Sequence, residues 1–216
     1  MTDVAGEVIW TVVVGGGGGA RFGALKQYEA LGEGRVIDLA VAVARGSSEG
    51  VVVVVPPSDA AREGAVAGGA TRSESVRAGL AAVPAAATIV CVHDAARPLA
   101  SPALFDAVVA AVHQGADAVV PAVPVTDTIK VVDAAGTVVA TPERATLVAV
   151  QTPQAFRADV LRRAHLTGDD GTDDAALVER LGGRVVTVPG ESWNRKITAP
   201  DDLDWARRWL AGSVSR

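Results

Sequence analysis

Five consecutive glycines, an arginine and a lysine follow the apolar run Val12-Val13-Val14: Gly15–Lys26 reads GGGGGARFGALK. A strand running into such a loop can hold phosphates. Backbone N–H groups reach an anion closely where no Cβ intervenes, and Arg21 and Lys26 add positive charge. A Walker A loop needs Gly-Lys-Ser/Thr entering a helix, and Leu25 and Gln27 flank the lysine here, so that reading fails. The dinucleotide fingerprint is formally met by Gly15, Gly17 and Ala20. However, the next β-rich run ends in Val55-Pro56-Pro57, with no carboxylate for a ribose hydroxyl. The third reading is a nucleotidyltransferase loop wrapping a triphosphate. Its bland rival is a mobile glycine linker with a solvated Arg and Lys.

Two further stretches carry polar chemistry. In Val92-His93-Asp94-Ala95-Ala96-Arg97-Pro98, Asp94 falls just past the end of an apolar run, where ligands bind in parallel sheets. A carboxylate there suits Mg²⁺ carried by a triphosphate. Arg97 can clamp a ligand or simply pair with Asp94, and His93 reads as a packed, satisfied histidine. In Gly68-Gly69-Ala70-Thr71-Arg72-Ser73-Glu74-Ser75, two glycines expose backbone before a helix that opens with serines. That suits hydrogen bonding to a planar base, although an ordinary N-capped helix looks the same.

The elements that must position these groups alternate. Short β-branched runs near Val8–Val14, Val51–Val55, Thr88–Val92, Ala118–Ala122 and Arg184–Val188 predict strands. They lack polar alternation, as expected of strands covered by helices on both faces. Helices are predicted near Val36–Ala44, Ser73–Val83, Pro102–His113, Ala158–His165, Asp173–Leu181 and Pro200–Leu210. The pattern is that of an α/β fold with a mostly parallel sheet in a single domain over residues 1–216. Thr126–Val132 and Thr137–Thr141, joined by Asp133-Ala134-Ala135-Gly136, break the alternation as a hairpin. It can be an antiparallel sheet edge or an arm reaching another subunit.

A net charge of −5 argues against a nucleic-acid-binding face. Cys91, the single cysteine, lies in an apolar run and reads as a small buried hydrophobe rather than a nucleophile. The absence of an intrachain disulfide, of a signal-peptide pattern and of a membrane-length apolar run leads us to expect a cytoplasmic, soluble protein with no membrane partner.

Taken in order, the motifs resemble a known family. They are the loop through Lys26-Gln27-Tyr28, the GG-x-x-R-x-x-S of Gly68–Ser75, His93–Pro98, Pro124–Lys130, Gln151–Phe156, Thr172-Asp173-Asp174-Ala175 and Asn194–Thr198. Together they resemble the 2-C-methyl-D-erythritol 4-phosphate cytidylyltransferases, CTP-dependent enzymes of the non-mevalonate isoprenoid pathway. The resemblance spans Val12 to Leu203. It implies a Rossmann-like nucleotidyltransferase fold and a homodimer with a protruding β-arm at about residues 125–150. It also implies that Gly15, Gly16, Gly17, Gly19 and Arg21 wrap the CTP phosphates, with Lys26 and Lys196 reaching them from two sides. Gly69 and Ser75 would face the nucleoside and Asp94 would bind Mg²⁺. Arg97, Thr128, Arg144 and Thr172 match positions that hold the methylerythritol phosphate, Thr128 and Arg144 coming from the partner's arm.

The opening loop departs from the family pattern. Val14-Gly15-Gly16 replaces the usual Pro-Ala-Ala, Leu25 replaces the proline before the loop lysine, and the span from Arg21 to Lys26 is shorter by about one or two residues. Each extra glycine raises the ordering cost by roughly 0.5–1 kcal/mol relative to alanine. We therefore predict weaker CTP affinity than is usual for the family; a low-micromolar dissociation constant for Mg–CTP would contradict this. The rival functions are cytidylyl transfer to ribitol 5-phosphate and a catalytically weak CTP-binding paralogue. Retention of Arg21, Lys26, Asp94 and Lys196 speaks against the second.

Overall fold

A computed structural model describes residues 7–16 and 25–213. Gly17, Gly19 and Arg21, singled out above, lie outside them. In chain order the first half contains β1 (Ile9–Val14), β2 (Ala30–Leu31), β3 (Gly34–Arg35), α1 (Val36–Gly46), β4 (Gly50–Val55), α2 (Ala60–Glu63), β5 (Val66–Ala67), α3 (Arg72–Ala82) and β6 (Ile89–Asp94). The second half contains α4 (Pro102–His113), β7 (Ala118–Pro124), β8 (Val131–Val132), β9 (Val138–Ala140), β10 (Val148–Val150), β11 (Gln154–Arg157), α5 (Ala158–Leu166), α6 (Asp174–Arg180), β12 (Val185–Pro189) and α7 (Pro200–Ser213).

The main sheet runs β10-β7-β11-β6-β1-β4-β5, with β12 also on β7. The pairs of β1 with β4 and β6, of β4 with β5 and of β12 with β7 are parallel. Two antiparallel strands, β11 and β10, interrupt this pattern. Val14 registers with both Val54 and Asp94, so β1, β4 and β6 end level and their loops share one edge of the sheet. This is the edge where the sequence puts Gly15 and Asp94.

Alternation with period two explains the uninterrupted apolar runs. Val12 and Val14 enter the core under α3, α5 and α6 with Val76, Leu80 and Leu161, whereas Val13 and Cys91 enter the core under α1 and α4 with Ile37, Phe105 and Val108. Each fully buried valine or leucine contributes about 1.5–3 kcal/mol. At Gly79 on α3, a Cβ would fall 2.4 Å from Val12 Cγ1, so only glycine lets this helix lie so close to the strand.

Of the two alternatives left open by the sequence, the structure removes the one in which the hairpin is an edge of the main sheet. Among the described residues β8 and β9 pair only with each other, off the main sheet, and every residue in them is exposed. Asp133 closes the turn by accepting the Ala135 and Thr137 N–H groups through Oδ1, both at 2.9 Å, and Gly136 supplies the left-handed φ of 83°. The segment is an arm.

Candidate active site

Asp94 is the last residue of β6 and is buried. Its Oδ1 accepts from Arg72 Nε at 3.2 Å and its Oδ2 from Lys196 Nζ at 2.6 Å. Burial pushes this carboxyl up, but Arg72 and Lys196, with a smaller pull from Arg97, outweigh it and hold the group well below the usual carboxylate range. Asp94 is therefore ionised near pH 7.

His93, next to it, is satisfied and inert. Its Nε2 lies 3.1 Å from the Arg97 carbonyl, which only accepts, so Nε2 carries the hydrogen. Nδ1 then accepts from the Thr152 hydroxyl at 3.0 Å, while the same oxygen accepts the Asp94 N–H at 3.0 Å. Full burial lowers the imidazole pKa to about 4, so the ring is neutral near pH 7. The histidine fixes the backbone around Asp94 and holds no proton for chemistry.

Of the two roles that the sequence offered Arg97, the structure removes the ion pair. Arg97 does not pair with Asp94; Nη1 donates to the Asn194 carbonyl at 2.7 Å and Nη2 to the Val150 carbonyl at 3.3 Å. These bonds tie the Asp94 loop to the Lys196 segment and to the base of the arm. Gln151 and Asn194 continue the tie. Gln151 Nε2 donates to the Glu191 carbonyl at 2.8 Å, and Asn194 Nδ2 donates to the Thr152 carbonyl at 2.9 Å. The Lys196 segment is anchored below by α7, whose Ala206 and Leu203 pack on Ile197 and whose Trp205 faces the Arg195 guanidinium at 4.7 Å.

A cleft of about 210 Å³ opens among these groups, lined by Arg72, Asp94, Arg97, Thr152, Thr172 and Lys196 among others. Four residues predicted from sequence, Asp94, Arg97, Thr172 and Lys196, thus converge on one cleft. Gly15 and Gly16 stand alongside: a Cβ on Gly15 would lie 3.5 Å from Ala95 Cβ, and one on Gly16 would lie 3.0 Å from Ser75 Oγ. Ser75 is buried, donating to the Thr71 carbonyl at 3.0 Å and accepting the Gly69 N–H at 3.2 Å. It holds the Gly68-Gly69 turn against the start of the glycine loop. Lys26 opens a 3-10 turn, Lys26–Tyr28, whose Gln27 is buried. Thr128 and Arg144 do not line the cleft; both are exposed on the arm, where Arg144 Nη1 donates to the Thr126 carbonyl at 2.8 Å.

The structure adds residues that the sequence reading passed over. Arg72 was visible only as a letter of the Gly68–Ser75 motif, and its approach to Asp94 depends on α3 and β6 meeting in space. Its other partner is Asp174, fully buried, which Nη1 reaches at 2.7 Å. Burial works against the Arg72 charge, but Asp174 and Asp94 more than offset it and raise its pKa above the usual value.

Comparison with known proteins places the chain in a family. The profile of the 2-C-methyl-D-erythritol 4-phosphate cytidylyltransferase family matches residues 9–211. A protein of that name from Nocardia farcinica is 54% identical over 162 residues, which cover 75% of this chain and 69% of the relative. One from Rhodococcus jostii is 46% identical over 223 residues, covering 96% of each chain. Among solved structures, 4-diphosphocytidyl-2C-methyl-D-erythritol synthase from Anaerococcus prevotii superposes with a TM-score of 0.83 at 26% identity, covering 95% of this chain and 99% of that one. The cytidylyltransferase from Thermus thermophilus superposes with a TM-score of 0.79 at 33% identity, covering 93% and 98%. The chain belongs to the 2-C-methyl-D-erythritol 4-phosphate cytidylyltransferase family.

Proposed function

We propose that this protein transfers the cytidylyl group of CTP to 2-C-methyl-D-erythritol 4-phosphate, giving 4-diphosphocytidyl-2-C-methyl-D-erythritol and pyrophosphate for isoprenoid-precursor synthesis. The observation that carries the reading is the convergence of Asp94, Arg97, Thr172 and Lys196 at the carboxyl ends of the strands, beside Gly15 and Gly16, in a chain of this family. An oxygen of the acceptor phosphate attacks the α-phosphorus, the bond to the bridging oxygen breaks, and its electron pair leaves with pyrophosphate. Two anions must meet, so catalysis is mainly charge neutralisation and in-line alignment. A general base is not required, which fits a site whose adjoining histidine, His93, is neutral and committed to structure.

In this reading Arg21 and Lys26, with Lys196 from the other wall, balance the triphosphate, and Gly15, Gly16, Gly17 and Gly19 let backbone approach it. Gly69 and Ser75 shape the nucleoside side; Arg97 and Thr172 meet the acceptor. Mg²⁺ fits the donor set. Among the described residues no cluster of three or more His, Cys, Asp or Glu could hold a metal by itself, and Asp94 offers one hard, ionised carboxylate. Mg²⁺ commonly takes one or two carboxylates and completes its shell with phosphate oxygens and water. Bound there with CTP, it would supply charge compensation at the phosphates.

The homodimer belongs to the same proposal. Val131, Val132, Val138, Val139 and Val148 are between 44% and 60% exposed on and beside the arm, an apolar surface that a partner would cover. Thr128 and Arg144 stand on that surface and would complete the acceptor site of the other subunit. A cytoplasmic setting belongs to the same proposal; no helix among the described residues is long and apolar enough to cross a membrane.

Purified protein with CTP and Mg²⁺ should release pyrophosphate on addition of methylerythritol phosphate; release with ribitol 5-phosphate alone would reassign the acceptor, and none with either would remove the activity. Lys26→Ala and Arg144→Ala should each lower turnover by at least about 10²-fold, the scale of losing one transition-state charge contact.

A further inference from the structure

Asp173 and Asp174 are neighbours with different tasks. Asp173 caps α6, accepting the Ala176 N–H at 2.9 Å through Oδ1 and Gln154 Nε2 at 2.8 Å through Oδ2. Asp174 points inward and is fully buried. Its Oδ1 accepts from His165 Nε2 on α5 at 3.0 Å, and its Oδ2 accepts from Arg72 Nη1 on α3 at 2.7 Å. The guanidinium is thus gripped by Asp174 and offers Asp94 only its Nε, at the longer distance of 3.2 Å. Lys196, the other cation on Asp94, is 40% exposed and hangs from a loop.

We propose that Asp174, braced by His165, is a positioning residue that holds Arg72 back from Asp94 and so keeps the Asp94 carboxylate available to a metal–nucleotide complex. The physical reason is a competition for one carboxylate. Arginine forms its best pair with both oxygens of a carboxylate in a planar fork. A guanidinium free to turn onto Asp94 would occupy both oxygens and compete with a divalent cation. Asp174, fully buried against α3 and α5, holds Nη1 and so fixes the guanidinium where Arg72 meets Asp94 through Nε alone. Lys196 is then the one cation of the pair free to leave Asp94 for the phosphates. Buried pairs of this kind add little net stability compared with an apolar replacement, so stability alone gives no strong reason for the arrangement.

The inference rests on Asp94 being the metal-facing carboxylate, and the test separates the two. Binding of CTP is measured by calorimetry, with Mg²⁺ and with chelator, for the wild type, Asp174→Asn and His165→Gln, each first shown to be folded by its near-ultraviolet spectrum and melting curve. We expect Asp174→Asn to weaken Mg–CTP binding by about 10-fold, the lower end of what outer partners of a metal ligand contribute, and to change metal-free CTP binding by less than about 3-fold. His165→Gln, which loosens the brace but leaves both carboxylates, should act in the same metal-dependent sense but less, and carries the test if Asp174→Asn does not fold. In an Arg72→Met background the Asp174→Asn loss should vanish, since residues acting through one another are not additive. Equal losses with and without metal, or the same loss in the Arg72→Met background, would show a merely structural role and overturn the proposal. If wild-type CTP binding shows no metal dependence, the placement of metal at Asp94 fails first, and the proposal with it.

Discussion

At the scale of single residues, the site depends on how burial and partners sort groups that look alike in sequence. His93 and Asp94 are adjacent on β6, yet burial makes one a neutral strut and two cations keep the other a fixed anion. Asp94 was legible because it closes an apolar run, and Lys196 because Asn194–Thr198 matches the family's pattern. Arg72 and Asp174 were not, because their meaning lies in a contact between residues 102 positions apart. Cys91 shows the converse, a residue whose bland reading suffices. It is wholly buried in β6, and burial pushes its thiol up to about 12. At pH 8 its thiolate fraction is negligible, so the native protein should not react with a chromogenic disulfide reagent there, and Cys91 should react stoichiometrically once unfolded in guanidinium. Rapid reaction of the native protein would contradict the burial.

At the scale of elements, periodicity identified β1, β4, β6, β7 and β12 and the longer helices, whose ends fall within two residues of those expected except that α7 runs three residues further, to Ser213. It passed over β11. Gln154–Arg157 is four residues long and polar at both ends, so no alternation announces a strand, yet Phe156 and Ala155 fill opposite cores between β6 and β7. The arm was visible as a hairpin, but its place outside the main sheet was not, because turn chemistry sets local pairing and says nothing of distant partners. Its exposed valines suggest a test of the proposed interface. Val139→Asp, at a position 60% exposed, should leave the monomer fold intact and shift light scattering from dimer to monomer. A Val139→Asp protein that stays fully dimeric at dilute concentration would place the interface elsewhere.

At the scale of the whole molecule, the residues of the proposed site fall in two separated parts of a single chain. Asp94, Arg97, Thr172 and Lys196 line the cleft at the strand ends, whereas Thr128 and Arg144 stand exposed on the arm. All six residues were legible in the sequence, and the resemblance already implied that Thr128 and Arg144 reach the other subunit; what the sequence could not give is the distance between cleft and arm within one chain. Hybrid dimers test a site shared between subunits most directly. Lys196→Ala and Arg144→Ala proteins are each nearly inactive by this reading. When they are unfolded together and refolded, about half of the dimers are hybrids, and in each hybrid one site combines an intact cleft with an intact arm. About one quarter of wild-type pyrophosphate release should return in the mixture. Activity no higher than that of the two variants measured apart would contradict a site shared between subunits.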